Sequence, residues 1–338
     1  MAESASPVPL SLASADAITP EVQGREVERL GPGAPPVLFL QSEGMSRRFW
    51  EFFTAQIPNP HTRRAYYQAI SQFSAWCHQH GVEDLRRVEP IHVAAWVEDS
   101  GRVRSRPTVK QHLAAVRMLF DWMILGQFLP VNPAASVRGP KHTVKRGKTP
   151  VLSSEEMGEF LRSIPTDSVL GLRDRALLGV MAYTFARIGA VLHLKVEDYY
   201  VQRRRGWLRL HEKGGKVHEI PCHHTLEQFL EEYLQAAGLA GKEDWPLFCA
   251  GRKGQLVPSP LHQSNVHKMI RRRCRQAGIE TKIGCHSFRA TGITNYLQNG
   301  GRLEVAQQMA GHESSRTTGL YDRRGDEISL DEVERISY

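Results

Sequence analysis

The chain is poor in cysteine: Cys77, Cys222, Cys249, Cys274 and Cys285 are the only five in 338 residues. No two lie within ten residues of each other, so there is no Cys-x-x-Cys metal or redox pair and no disulfide framework. A reducing, cytoplasmic compartment fits that usage. Apolar runs of about 18 residues are absent, which excludes a helical membrane span and sets the expectation of no membrane partner. Met1-Ala-Glu-Ser4 lacks a basic region followed by an apolar one, so no secretory signal is expected. There is no Gly-rich phosphate loop and no internal repeat. The expectation is therefore a protein without nucleotide cofactors.

What the chain does have is length for two domains and an uneven charge. The net charge is +8. Residues 1–45 carry 2 basic and 6 acidic side chains, residues 46–149 carry 16 and 7, and residues 150–338 carry 26 and 23. A hundred-residue segment holding a net +9 points to a polyanion, most often nucleic acid. A solvated basic face is the structural alternative.

Residues 1–44 read as a flexible tail, because Gly31-Pro-Gly-Ala-Pro-Pro36 suits neither a helix nor a central strand. Its apolar patch is Val37-Leu-Phe-Leu40. Residues 45–137 read as an all-helical domain. Tyr66, Ile70, Phe73 and Cys77 make one stripe; Val109, Leu113, Val116, Phe120 and Met123 make another, with Lys110 and Arg117 elsewhere on that helix. Residues 138–150 form a basic linker carrying Lys141, Lys145 and Arg146, either solvated or laid along phosphates. The second domain, 151–338, opens on a capping box at Ser153 and Glu156. Trp207–His211 and Val217–Ile220 read as a hairpin around Lys213-Gly-Gly-Lys216. Residues 259–277 read as a helix crowded with Lys268, Arg271, Arg272, Arg273 and Arg275, again suggesting phosphate contact. A last capping box at Ser329 and Glu332 starts a C-terminal helix from about residue 327.

Four pieces could do chemistry. His286-Ser-Phe-Arg289 puts an imidazole and a guanidinium on one helix face. His312 follows Gly311 at a helix break, and Tyr321 follows nine residues later. Arg187 ends a charge-free buried stretch and needs an anion, with Asp174 and Glu197 as structural candidates. Lys213 stands in a Gly-rich turn, where a lysine is usually just exposed. Taken singly, each of these has an ordinary structural explanation; their ordered combination is harder to explain that way.

That combination resembles the tyrosine recombinase, or phage integrase, family. The family pattern is an Arg after a buried helix, a Lys in a β-turn, His-x-x-Arg, then Gly-His and a Tyr nine residues on. It falls here on Arg187, Lys213, His286, Arg289, His312 and Tyr321, and Ala310-Gly-His-Glu-Ser-Ser-Arg-Thr-Thr-Gly-Leu-Tyr-Asp322 is its most specific stretch. The implied fold is mainly α with a small β-sheet: an all-helical, SAM-like core-binding domain and a mixed α+β catalytic domain. There are departures. The family usually has an acidic residue three after the first Arg, and Ala190 stands there. Ala310 replaces a Leu. Glu212 replaces the first Gly of the Gly-Lys-Gly-x-Lys turn, which leaves Lys216 as the fallback for Lys213.

The implied reaction is cleavage and rejoining of double-stranded DNA through a 3′-phosphotyrosine, without metal or ATP. Arg187 and Arg289 would hold the non-bridging oxygens and Tyr321 would attack. His286 would take its proton, His312 would hydrogen-bond the phosphate, and Lys213 would protonate the leaving 5′-oxygen. The resemblance implies four protomers on two DNA sites, the C-terminal helix docking on a neighbour, and a place at the nucleoid. It leaves room for accessory proteins and does not choose between integration, excision and resolution. Alternatives are a type IB topoisomerase-like relaxase, a non-catalytic DNA-binding regulator of the same fold, and a metal-dependent nuclease using His223, His224, His286 or His312. The last lacks a carboxylate cluster.

Overall fold

The computed structural model describes residues 35–143, 147–212, 215–322 and 334–336. Lys145, Arg146, Lys213, Ser329 and Glu332 lie outside the described residues. Contacts divide the chain into two units, residues 1–143 and 144–338.

The first unit is helical. Ser42 caps α1 (Glu43–Glu51), which runs into a π-helical turn at Phe52–Gln56. Asn59 accepts from the first free N–H groups of α2 (Pro60–Gln79), and Pro60 at its first position sacrifices no bond. α3 (Pro90–Val103) and α4 (Arg106–Leu125) also begin with a proline in the first turn. The stripes read from sequence face inward: Ile70, Phe73, Cys77, Val109, Leu113, Val116, Phe120 and Met123 are all buried, and Tyr66 packs at the margin. The Val37–Leu40 patch is not part of a tail. It forms a 3-10 turn whose Leu38 and Phe39 are fully buried in this core, pinned by a bond from the Leu38 N–H to Ser74 Oγ. The patch singled out in the sequence as able to dock does so: proline explains only residues up to 36, and two large apolar side chains outweigh that context.

Arg117 has a structural tie that its sequence reading did not include. Its guanidinium donates to the carbonyls of Ala134 and Val137 and ties the chain after α4 back onto that helix. Those bonds commit one edge of the guanidinium, Nε and Nη2, to the fold. Lys110 and Lys141 are exposed.

The second unit begins with α5 (Ser154–Arg162), with the capping box between Ser153 and Glu156 formed. α6 (Val169–Thr184) is buried nearly all round, and the short α7 (Ile188–His193) follows. β1 (Tyr199–Gln202), β2 (Arg205–His211) and β3 (Val217–Pro221) form an antiparallel sheet in that order. α8 (His224–Ala237) packs on α6. β4 (Cys249–Arg252) and β5 (Gln255–Pro260) make a second hairpin. α9 (Gln263–Gln276), α10 (Cys285–Gln298), α11 (Leu303–Ala310) and α12 (Ser315–Gly319) complete the described elements.

Three strands were not read from the sequence. The β1–β2 turn uses Arg203 and Arg204, both at positive φ without a glycine to signal it, and β4 and β5 are short and mostly exposed. The helix expected over 259–277 therefore starts only at Gln263, because Gln255–Pro260 is strand. Arg273 is not on the basic surface of α9 either. It is buried, 2.8 Å from Asp174, which also meets Arg173 at 2.7 Å and Arg272 at 3.1 Å. A fully buried carboxylate needs such partners. Lys268 and Arg271 remain exposed and Arg272 half-committed.

Candidate active site

The site is assembled from four turns. The first ends α6. Thr184 donates back to the Val180 carbonyl at 2.6 Å and accepts the Ala186 N–H at 3.2 Å, while Phe185 takes a left-handed conformation (φ 58). That conformation is uncommon away from glycine, and tertiary packing holds it. The Phe185 ring sits over Gly292 of α10, where a Cβ would come within 2.7 Å of it and 2.3 Å of the Ala182 carbonyl. The chain then delivers Arg187 at the N-cap of α7.

Arg187 Nη1 meets Glu212 Oε2 at 2.7 Å, just past the end of β2. Neither structural candidate from the sequence is its partner: Asp174 holds the three arginines named above, and Glu197 pairs with Lys195. The Glu212 carboxylate is 5% exposed and the Arg187 side chain 36%.

α10 supplies His286 and Arg289. Arg289 is 2% exposed. Its Nη2 donates to the Ala310 carbonyl at 2.5 Å and its Nη1 to that of Phe185. Burial and the nearby Arg187 charge lower its pKa to about 10, while Tyr321 and Glu212 pull it the other way. His286 is exposed; partial desolvation, then Arg289 and Arg187, favour its neutral form.

The last two turns carry His312 and Tyr321. Gly311 ends α11 at φ +55, a left-handed position that suits glycine. A Cβ there would lie 3.7 Å from Glu212 Cγ and 4.0 Å from Arg187 Nη1, so the turn sets His312 next to that ion pair. His312 Nδ1 and Thr318 Oγ1 share a 2.9 Å hydrogen bond, which leaves Nε2 for a ligand. The Tyr321 ring stacks on His312 at 5.9 Å between centroids and 6° between planes. Its carbonyl accepts from Thr294 Oγ1 at 3.1 Å, and its ring packs against the cluster of Phe185, Ile293, Leu297, Ala306 and Ala310.

Arg187, Glu212, Lys216, His218, His312 and Thr317 line a cavity of about 800 Å³. Lys216 reaches Glu313 at 3.0 Å across its rim. Five of the six residues singled out by sequence order are thus placed. Arg187 and His312 line the cavity, Tyr321 stacks on His312, Arg289 bonds the backbone of the two turns that lead to Arg187 and His312, and His286 lies within their field; Lys213 is outside the described residues. Among the described residues no group of three His, Cys, Asp or Glu side chains could hold an ion. His223 caps α8, stacks on Tyr183 and lines a different cavity of about 510 Å³.

Burial of His312, with Arg289 and Arg187 beside it, lowers its pKa from the ordinary 6.5 to about 4. The folded chain binds this proton more weakly than the unfolded chain. Stability is therefore complete above pH 6.5 and falls as pH drops from 6.5 towards about 4, by about 1.4 kcal/mol per pH unit for this one group. His218 and His286, shifted in the same direction, add to the slope. Thermal melts at pH 7, 6 and 5 should show the midpoint falling, with His312→Asn flattening the fall. A midpoint insensitive to pH over this range would contradict the burial of His312.

A model of the phage integrase family matches residues 150–327, and a model of the phage integrase N-terminal SAM-like domain matches residues 48–127. The chain belongs to the phage integrase family. Among its relatives, the tyrosine recombinase XerC of Xylella fastidiosa is 27% identical over 282 residues, 82% of this chain and 92% of that protein. The tyrosine recombinase XerD of Corynebacterium glutamicum is 27% identical over 267 residues, 76% and 85% of the two chains. In fold the chain is similar to the XerH site-specific recombinase in its post-cleavage complex with difH, with a TM-score of 0.68, 19% identity and coverage of 90% and 97%. It is also similar to a lambda integrase tetramer bound to a Holliday junction, with a TM-score of 0.66, 17% identity and coverage of 92% and 88%.

Sequence reasoning missed two members of this phage integrase site. Thr318, which orients His312, had no signal beyond a threonine pair. Glu212 had one: a carboxylate inside a Gly-rich turn in a chain that lacks the usual acid at Ala190. Ala310, the other departure, is fully buried and gives its carbonyl to Arg289, a backbone role that a small side chain does not disturb.

Proposed function

We propose that the protein is a site-specific DNA recombinase that cuts and rejoins strands through a tyrosine-linked intermediate. The observation that carries this reading is the Tyr321 side chain stacked on His312 and within the field of the buried Arg289, with Arg187 near both. A bond forms between Tyr321 Oη and the phosphorus, and the bond from phosphorus to the 5′-oxygen breaks. Arg187 and Arg289 stabilise charge on the non-bridging oxygens; preorganised donors of this kind usually supply the largest share of catalysis. His286, biased towards its neutral form, accepts the phenolic proton, and His312 hydrogen-bonds the phosphate. Lys213 gives a proton to the departing oxygen, with Lys216 as its substitute. The 3′-phosphotyrosine keeps the energy of the broken ester, so a second 5′-hydroxyl reverses the step.

Duplex DNA is the partner this reading requires. The exposed Lys110, Lys141, Lys268 and Arg271 are the cations it assigns to phosphate contact, together with Lys145, Arg146 and the partly engaged Arg272. The similar lambda integrase solved as a tetramer on a Holliday junction supports four protomers on two sites as the working assembly; a place at the nucleoid would follow from the DNA substrate. The C-terminal helix would join neighbours.

The test starts from DNA that the full chain selects out of a random pool. A supercoiled plasmid carrying two copies of that site should yield rearranged circles, insensitive to EDTA. Relaxation without rearrangement would favour a topoisomerase-like enzyme, and binding without any covalent adduct a regulator.

A further inference from the structure

We propose that Glu212 is the positioning residue of the phosphate clamp: from the mouth of the β2–β3 hairpin it holds the Arg187 guanidinium by one edge and leaves the rest of it facing the cavity. The inference rests on the recombinase reading for its consequence, though not for its geometry.

Residue 190 lies three positions after Arg187, on the same face of α7, and would be the nearest place for a bracing carboxylate. Ala190 offers only a methyl group, and it is 5% exposed. Glu212 comes from another element instead. Its backbone N–H bonds the Lys216 carbonyl at 2.7 Å, closing the hairpin mouth, so the residue is fixed at both ends. Its Oε2 meets Arg187 Nη1 at 2.7 Å, and its side chain lies beside the Gly311 turn that presents His312.

The pair is not built for stability. Glu212 Oε1 is buried with no hydrogen-bond partner, and a half-satisfied buried carboxylate gains little over an apolar side chain. What the pair does is fix a long, flexible cation before DNA arrives. A guanidinium presents five donors in a rigid plane; with one edge anchored, its remaining donors are aimed at the cavity that His312 also lines. The other titratable neighbours facing Glu212 are His218 on β3 and Arg289 on α10.

The experiment measures single-turnover formation of the detergent-stable protein–DNA adduct, DNA affinity and melting temperature on the full chain. Wild type must form the adduct; if it does not, the recombinase reading fails and the brace is judged on melting alone. There, Arg187→Ala should lower the midpoint and a second change, Glu212→Gln, should restore part of it. If Glu212→Gln gives no such recovery, the two groups are not coupled and the brace is refuted. With an active wild type, Glu212→Ala should slow adduct formation by about 10- to 100-fold with DNA affinity little changed. Glu212→Gln, which keeps the shape and the acceptor, should stay close to wild type. Moving the acid, in Glu212→Ala with Ala190→Glu, should recover much of the rate. Wild-type cleavage by Glu212→Ala overturns the proposal, as does a defect that neither Glu212→Gln nor the relocated carboxylate repairs.

Discussion

Tyr321→Phe should abolish covalent attachment to DNA while leaving the protein folded and bound. The substitution removes one oxygen. The ring keeps its stack on His312 and its place against Phe185, Ile293 and Leu297, and the Thr294 bond is made by the backbone carbonyl. The contact forfeited is the one to Arg289, so the stability change should stay within about 1.5 kcal/mol. Catalysis has no such reserve. His286 and His312 could at best activate water, which would give hydrolysed ends and no adduct. Labelled site DNA boiled in detergent after incubation should show a slow-moving protein-linked band with wild type and none with the variant, at matched occupancy in a binding assay. An adduct that persists in the variant would place the nucleophile elsewhere and undo the assignment of every other residue in the site.

The residues proposed to meet the reacting phosphate are legible in the sequence because their chemistry is rare in combination: Arg187, His286, Arg289, His312 and Tyr321 stand in a fixed order, and the turns that present them follow Gly311 and a buried helix. The helical stripes of the first unit were legible for a similar reason, since Ile70, Phe73 and Cys77 repeat with the helical period. Partners across the fold were not. Glu212 is 25 residues from Arg187 and on a different element, and no periodicity links them. Arg117 reads as a surface cation until the chain at Ala134 folds back over it. Arg273 sits among exposed basic residues, and only the burial of Asp174 shows which way it faces. Local pattern specifies the face a residue occupies; what waits opposite is set by tertiary contact, and ion pairs at long sequence separation carry no local signature.

Arg289→Lys should slow adduct formation by about 100- to 1000-fold, although it preserves formal charge. Arg289 works in two directions at once. Inward, its two terminal nitrogens hold the carbonyls of Phe185, two residues before Arg187, and of Ala310, two before His312. It thereby fixes the spacing of the two turns that bring the other phosphate ligands together. Towards the site, its charge lies beside Tyr321 and Glu212, and on the proposed mechanism it would meet the phosphate ester. An ammonium is a compact charge with three donors, and it cannot span two carbonyls and a phosphate oxygen as a planar fork does. At least one buried carbonyl would be orphaned, at about 1–3 kcal/mol of stability. Losing an aligned donor to the transition state adds about a 100- to 1000-fold loss in rate. There is a pH signature as well. Burial and the Arg187 charge already lower the guanidinium to about 10, still protonated at neutral pH. The same surroundings acting on a lysine, whose ordinary pKa is lower, would strip its proton in the mildly alkaline range. Adduct formation by the variant should therefore fall further between pH 7 and 9, where wild type holds steady. A variant within about fivefold of wild type across that range, well inside the loss expected for a missing donor, would show that charge alone suffices and that the bonds to Phe185 and Ala310 do not organise the site.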